Sequence, residues 1–337
     1  MALPACTLAF WRRHRATLKS ATTAAVLLGA AALLFDRLRH LEWAEVLRSL
    51  HGVAPAAWLA AALLTASSYA IYCSFDLLGK RYAGHRLPGR RVLEVSFVSY
   101  AFNLNFGWAG LALRYRLYSL FGQRAGVVAR VYAICLGTNW LGFALLAGAL
   151  LAAGALAVPT DGPLGTLGAG ALRVLGVGLL ALALGYLALC AFARRREATL
   201  LGRRIALPSL PFALGQCALS VANWLLIAAV VAALLPNDLG YAPVLGTTLL
   251  GALALMLVDV PAGLGVTEAV FLAALGSRVP AAQLLAGLAA YRLVYFLAPL
   301  LPAALVYLGL EATARRAGDL SAAAARAAAR LPRSGRR

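Results

Sequence analysis

Acidic residues are scarce in this sequence: 12 Asp and Glu stand against 31 Lys and Arg. Charge of either sign is sparse, at 13% of residues, while 62% are hydrophobic and mean hydropathy is +0.81. A water-soluble domain of 337 residues has no means of hiding that much apolar surface. The apolar runs are continuous and lack strand-like alternation, which argues against a β-barrel and for membrane helices. Histidine is rare and badly placed for chemistry, since His14, His40, His51 and His85 all fall outside the apolar runs. No HExxH, GxSxG, paired-Asp or GxxxxGK[ST] motif occurs, so neither an enzyme nor an ATP-driven machine is expected. No cofactor and no metal are expected. The five cysteines show no metal or redox spacing and read as free, buried thiols. A convincing cleavable signal peptide is also lacking. The net charge of +19 suggests nucleic acid in a soluble protein; in a membrane protein it reads as topology-setting arginine, and no nucleic-acid partner is expected.

What is present is a series of apolar spans. They cover roughly 20–35, 55–79, 131–157, 172–193, 211–235 and a stretch within 283–310. Between the first two, Trp43, Val46, Leu47 and Leu50 share one face of an interfacial helix. Two further apolar stretches are broken by polar and turn residues. Residues 92–120 carry Asn103, Asn105, Gly107 and Gly110, and residues 241–276 carry Asp259, Pro261, Gly263, Gly265 and Glu268. If both enter the membrane and return to the same face, 25 of the 31 Lys and Arg lie in the cytoplasm. The expected fold is therefore an all-α polytopic membrane protein with N- and C-termini in the cytoplasm. It has about six full spans and two re-entrant helical hairpins, arranged as an inverted-topology repeat. The divisions are a basic N-terminus (1–19), a first repeat (20–157), an external loop (158–170), a second repeat (171–310) and a basic tail (311–337).

The polar breaks carry the candidate site. Non-helical backbone at membrane depth survives only against protein or a wet cavity. A carboxylate there costs about 2.5–3.5 kcal/mol. Asp259 and Glu268 are thus either a satisfied pair that only shapes the hairpin or part of a transport site, with Glu268 in the first turn after the break. Arg292 is open to three readings: a partner of Glu268, a phosphate ligand, or an interfacial anchor. Arg114 and Arg116 either meet an anionic head group or set topology. Asp76 caps its span or pairs with Lys80. Asn103, Asn105, Asn139 and Asn223 act between helices or line a cavity.

Five pieces carry a family resemblance: SFDLLGKRYAGHRLPGRRVLEVSFVSYAFNLN (74–105), RYRLYSLFG (114–122), TNWLGF (138–143), PAGLGVTEAVFLA (261–273) and AYRLVYFLAPLL (290–301). The chain resembles the lysylphosphatidylglycerol synthase transmembrane-region family, the flippase-like half of the multiple peptide resistance factor. The resemblance implies lipid translocation, because its best understood members move aminoacylated phosphatidylglycerol between leaflets. Pro261, Gly263, Gly265 and Glu268 meet the second family motif. The first break reads NFGWAGLALR and lacks the proline and acid that many relatives have. No aminoacyl-transfer domain is expected after the basic tail.

The expected function is a flippase- or scramblase-like transporter in the bacterial inner membrane. Its partners are membrane phospholipids, with head groups anionic or aminoacylated, and a homo-oligomer is open. The alternatives are a small-solute or ion carrier on the same plan, or a non-transporting regulator of envelope lipid synthesis.

Overall fold

The computed structural model describes residues 52–155, 168–193, 197–200, 203–236, 239–257 and 265–314. The expected first span, the interfacial helix at 37–51, Asp259, Pro261, Gly263 and the basic tail after 314 lie outside them. Nine helices and one strand pair make up the described part: α1 (Pro55–Ala83), α2 (Gly89–Phe106), α3 (Trp108–Leu120), α4 (Ala125–Ala152), α5 (Gly168–Phe192), β1 (Glu197–Leu200), β2 (Arg203–Ala206), α6 (Leu210–Leu234), α7 (Tyr241–Leu257), α8 (Val266–Leu275) and α9 (Ala281–Ala314). Five of them, α1, α4, α5, α6 and α9, are long and apolar enough to cross a membrane. They coincide with the five expected spans that fall in the described residues. The protein is a polytopic α-helical membrane protein. The antiparallel pair β1–β2, with Glu197 opposite Ala206, is a short addition not foreseen in the basic loop. It is tied to the end of α1, where the Tyr82 hydroxyl donates to the Ala206 carbonyl at 2.8 Å.

The first polar break is a true chain reversal. Gly107 sits at φ 54°, ψ −111°, a conformation closed to residues with a Cβ. A Cβ on Gly110 would come within 2.4 Å of the Asn103 backbone nitrogen. Seven residues of straight helix would separate those positions by about 10.5 Å, so α3 folds back along α2. The second break comes after α7 and ends at Gly265, φ 80°, from which α8 starts; α7 and α8 likewise pack together. The element order repeats. A long helix (α1 or α6) is succeeded by a packed hairpin (α2–α3 or α7–α8) and another long helix (α4 or α9), and α1 packs along α6.

Helix crossings use small and polar side chains, as expected where lipid removes any hydrophobic drive between helices. Gly142 on α4 meets Ser220 on α6, and its N–H donates to the Ser220 hydroxyl at 3.2 Å. Ser220 and the Trp224 indole both donate to the Asn139 carbonyl, at 2.9 and 3.0 Å. On the same interface, Tyr186 donates to Gln216, which donates to Thr138, at 2.6 and 2.7 Å. Outward faces are apolar: Val174, Leu182 and Phe192 on α5 and Leu301 on α9 are all largely exposed.

A Cβ on Gly142 would lie 2.2 Å from the Ser220 hydroxyl oxygen. Gly142→Leu is expected to force α4 from α6 and cost at least about 1–3 kcal/mol, read as a lower unfolding temperature in detergent. Gly178→Leu, at an open position on α5, is expected to leave that temperature unchanged or slightly raised.

Candidate functional site

The site is organised by an irregular turn in α9. Helix α9 runs regularly to Tyr291 and then widens into a π-helical turn over Arg292–Leu297, with Ala298 N–H donating to the Leu293 carbonyl at 2.8 Å. The cause is local. Pro299 has no N–H for the carbonyl of Tyr295 four residues earlier, and its ring crowds that same carbonyl. Tyr69 on α1 takes the missing role, its hydroxyl donating to the Tyr295 carbonyl at 3.0 Å. The next carbonyl, of Phe296, accepts from the Asn105 amide at 2.9 Å. Asn105 lies two residues before Gly107, so the tip of the first hairpin is fastened to the π turn.

The opposite end of the same turn holds the second hairpin. The Arg292 guanidinium sets Nε at 2.7 Å and Nη2 at 2.6 Å from Glu268 Oε1. The Gly265 N–H donates to Oε2 of the same carboxylate at 2.8 Å, the backbone half of a capping box at the start of α8. Glu268 thus faces the positive end of a helix and a guanidinium together. The Arg292 cation also lies 5.9 Å from the centre of the Phe296 ring. The pair stays reachable, with side-chain exposures of 14% for Arg292 and 21% for Glu268.

Two more cation–carboxylate pairs anchor α3. Arg114 pairs with Asp76 of α1, and the Cys135 thiol of α4 donates to the same Asp76 oxygen, Oδ1. Both charges are buried, at 3% and 0% exposure, and the guanidinium sits 5.6 Å from the Tyr132 ring centre. Arg116 donates to Glu311 of α9 at 2.7 Å, and Tyr307 donates to the same oxygen at 3.2 Å. Asp76 is therefore neither a helix cap nor the partner of Lys80. Outside the helices, burial and nearby Lys80 push the His85 imidazole below its ordinary value, while Asp76 acts in the opposite sense.

Of the residues marked from the sequence, the structure brings Glu268, Arg292, Gly265 and Asn105 onto or next to one turn. Asn103 and Gly110 form the close approach behind Gly107. Arg114 is turned inward to Asp76, away from any head-group surface, and Arg116 is held by Glu311. Cys73, Cys135, Cys190 and Cys217 are buried and none forms a disulfide. Sequence reasoning missed the π turn and its hydroxyl partners, although Pro299 four residues after Tyr295 was a readable signal. It also missed Glu311 and the Asp76–Arg114 match, for which one sequence offers no pairing signal.

The fold and site define a polytopic membrane protein whose two helix–break–helix hairpins converge on an arginine-bearing turn of its last described helix. Residues 22–303 match the family described as the lysylphosphatidylglycerol synthase TM region. The chain is 40% identical over 287 residues to the inner membrane protein YbhN of Escherichia coli (strain K12), covering 84% of this chain and 89% of YbhN. It is 30% identical over 297 residues to the uncharacterized protein slr0712 of Synechocystis sp. (strain ATCC 27184 / PCC 6803 / Kazusa), covering 86% and 90%. The chain belongs to the lysylphosphatidylglycerol synthase transmembrane-region family, and it is a multi-pass protein of the inner membrane.

Tyr69→Phe leaves the Tyr295 carbonyl short of a donor and is expected to cost about 1–3 kcal/mol. Pro299→Ala restores an N–H, so Tyr69→Phe should cost less in that background; equal costs in the two backgrounds would refute the proline argument. Asp76→Leu strands a buried guanidinium and is expected to cost about 3–5 kcal/mol, whereas Asp76→Leu with Arg114→Met should recover much of that. Both comparisons are read by thermal unfolding in detergent.

Proposed function

We propose that this chain is a lipid transporter, flippase- or scramblase-like, that moves phospholipid head groups through the inner membrane while acyl chains stay in the bilayer. The observation that carries the reading is the partly exposed Arg292–Glu268 pair on the turn to which both hairpin tips are tied. An arginine fork suits a phosphodiester as well as a carboxylate. In this mechanism a head-group phosphate displaces Glu268 Oε1 from Arg292. The released carboxylate stays attached to Gly265 N–H at the start of α8, so the second hairpin senses the exchange. A protonated amine on an aminoacylated head group would find Glu268 available at that moment.

The repeated order of long helix, hairpin and long helix supports the inverted-repeat plan, in which the hairpins enter from opposite faces and the working site lies between them. Family membership supports a lipid substrate. No catalytic step is part of this reading, and neither a cofactor nor a metal is needed. Asp259 belongs to the proposed site by its place in the second break.

The test is reconstitution into vesicles containing phosphatidylglycerol with a fluorescent, dithionite-quenchable head group. The protein is expected to expose inner-leaflet label to dithionite, and Glu268→Gln and Arg292→Ala are expected to abolish exposure while inserting normally. Normal exchange by both variants would refute the site. Solute uptake without lipid exchange would favour the carrier reading.

A further inference from the structure

Helix α1 carries a polar stripe on one buried face. Thr65, Ser68, Tyr69, Tyr72, Cys73 and Asp76 recur at the three- and four-residue spacing that aligns side chains along a helix. From Thr65 to Asp76 the stripe rises about 17 Å at 1.5 Å per residue, roughly half of a 30 Å core. The other helices answer it with polar groups of their own. Ser68 donates to Asn223 Oδ1 of α6 at 2.8 Å and shares a 2.8 Å hydrogen bond with the Tyr295 hydroxyl. Tyr295 shares another, of 2.9 Å, with Tyr100 of α2. Each hydroxyl has one proton, so with Ser68 donating to Asn223 the chain must run Tyr100 to Tyr295 to Ser68 to Asn223. Turning the Asn223 amide over would reverse its direction.

A second observation is independent of that chain. Among the described residues, the buried side-chain atoms with no close hydrogen-bond partner are Thr65 Oγ1, Asn223 Nδ2, Ser96 Oγ, Asp76 Oδ2, Tyr118 Oη and both ring nitrogens of His85, although Ser96 lies within longer reach of Cys73 and Tyr118 of Asp76. Each belongs to a residue of this stripe or to one that a stripe residue bonds or interacts with. Thr65 is one turn from Ser68, and Asn223 holds Ser68. Ser96 lies beside Cys73. Tyr118 lies beside Asp76 and meets the His85 ring edge to face at 5.7 Å. His85 sits in the loop after α1 and is 9% exposed. Polar atoms so buried are costly to leave unpaired, and buried water is the ordinary remedy where several converge.

We infer that this seam is a hydrated half-channel that carries protons between the His85 edge of the membrane and the π turn beside the Arg292–Glu268 pair. The inference deepens the transporter reading, on which it rests, by naming its driving ion. Asp76 Oδ1 is occupied by Arg114 and Cys135, which leaves Oδ2 as the carboxylate oxygen without a close partner. Titratable and charged groups surround Asp76 from every side: Tyr72 and Cys73 on α1, Arg114 and Tyr118 on α3, Cys135 and Tyr132 on α4, and Lys80 with His85 beyond. A proton accepted by a His85 nitrogen passes through water to Tyr118 and Asp76 Oδ2. It then leaves by way of Ser96 and the hydroxyl chain. Groups with accessible protons along a spanning helix are the usual material of such relays.

Radiolytic hydroxyl-radical footprinting of the full chain in lipid nanodiscs tests the hydration. Cys73, Cys135 and Tyr118 are expected to be oxidised despite their burial, while Cys190, equally buried but off the seam, stays protected. Protection of the three seam residues to the level of Cys190 would overturn the inference. Proton movement is tested in phospholipid vesicles loaded with a pH-sensitive dye, under an imposed potassium–valinomycin potential. The wild-type protein is expected to pass protons faster than protein-free vesicles, and Tyr118→Phe, which removes only the hydroxyl beside Asp76, should return the rate to background. A wild-type rate no greater than background, or an undiminished rate in Tyr118→Phe, would sink the proposal. Lipid exchange measured in the same vesicles, both with and without the imposed gradient, addresses the transporter reading separately: proton flux with no lipid exchange in either condition would refute that reading and leave the half-channel standing.

Discussion

The Tyr295 carbonyl, deprived of a helical donor by Pro299, is the point on which this arrangement turns. In water the loss would be repaired by solvent. At membrane depth the repair has to come from protein. Helix α9 widens into a π turn, Tyr69 supplies a hydroxyl from α1, and Asn105 supplies an amide from the first hairpin. The widened turn also sets the register of α9 on both of its sides. Arg292, its first residue, faces Glu268 at the second hairpin. One missing N–H therefore brings α1, α2, α8 and α9 to a common locus.

Charge pairing does the complementary work. The membrane tolerates an ion only with a partner, and each hairpin is held by such partners. In the first, α3 is pinned to α1 through Arg114–Asp76 and to α9 through Arg116–Glu311; in the second, α8 is pinned to α9 through Glu268–Arg292. Pairs of this kind contribute little net stability, since desolvation offsets most of the attraction. What they supply is position. The buried Arg114–Asp76 pair is closed to any large ligand, whereas the Arg292–Glu268 pair is only partly buried. That difference separates a structural pair from a candidate binding pair without appeal to chemical type, since each is a guanidinium on a carboxylate.

The distinction explains why some of the site was legible beforehand and some was not. A proline, glycines and an acid inside an apolar run announce a break, because only a protein-lined or wet environment accepts them. Glu268 and Arg292 stood out for that reason, and so did the reversal at Gly107. Arg114 and Arg116 looked equivalent, two residues apart in a basic stretch, yet they point to different helices and meet different acids. Asp76 seemed to belong to nearby Lys80. Its partner instead comes from a hairpin 38 residues along the chain, and no local pattern encodes such a meeting.

The sequence by itself determined the membrane class, the five described spans and the places where helices must break. Each is a matter of local physics: about 20 apolar residues cross a bilayer, and glycine and proline end or bend what surrounds them. Only the tertiary structure decided which acid answers which arginine, which helices rescue the carbonyls of the π turn, and that the polar stripe of α1 faces inward along its length. Those outcomes depend on rotation and depth of one helix against another. They are set by close crossings such as Gly142 on Ser220, where the sum of many packing contacts chooses the register.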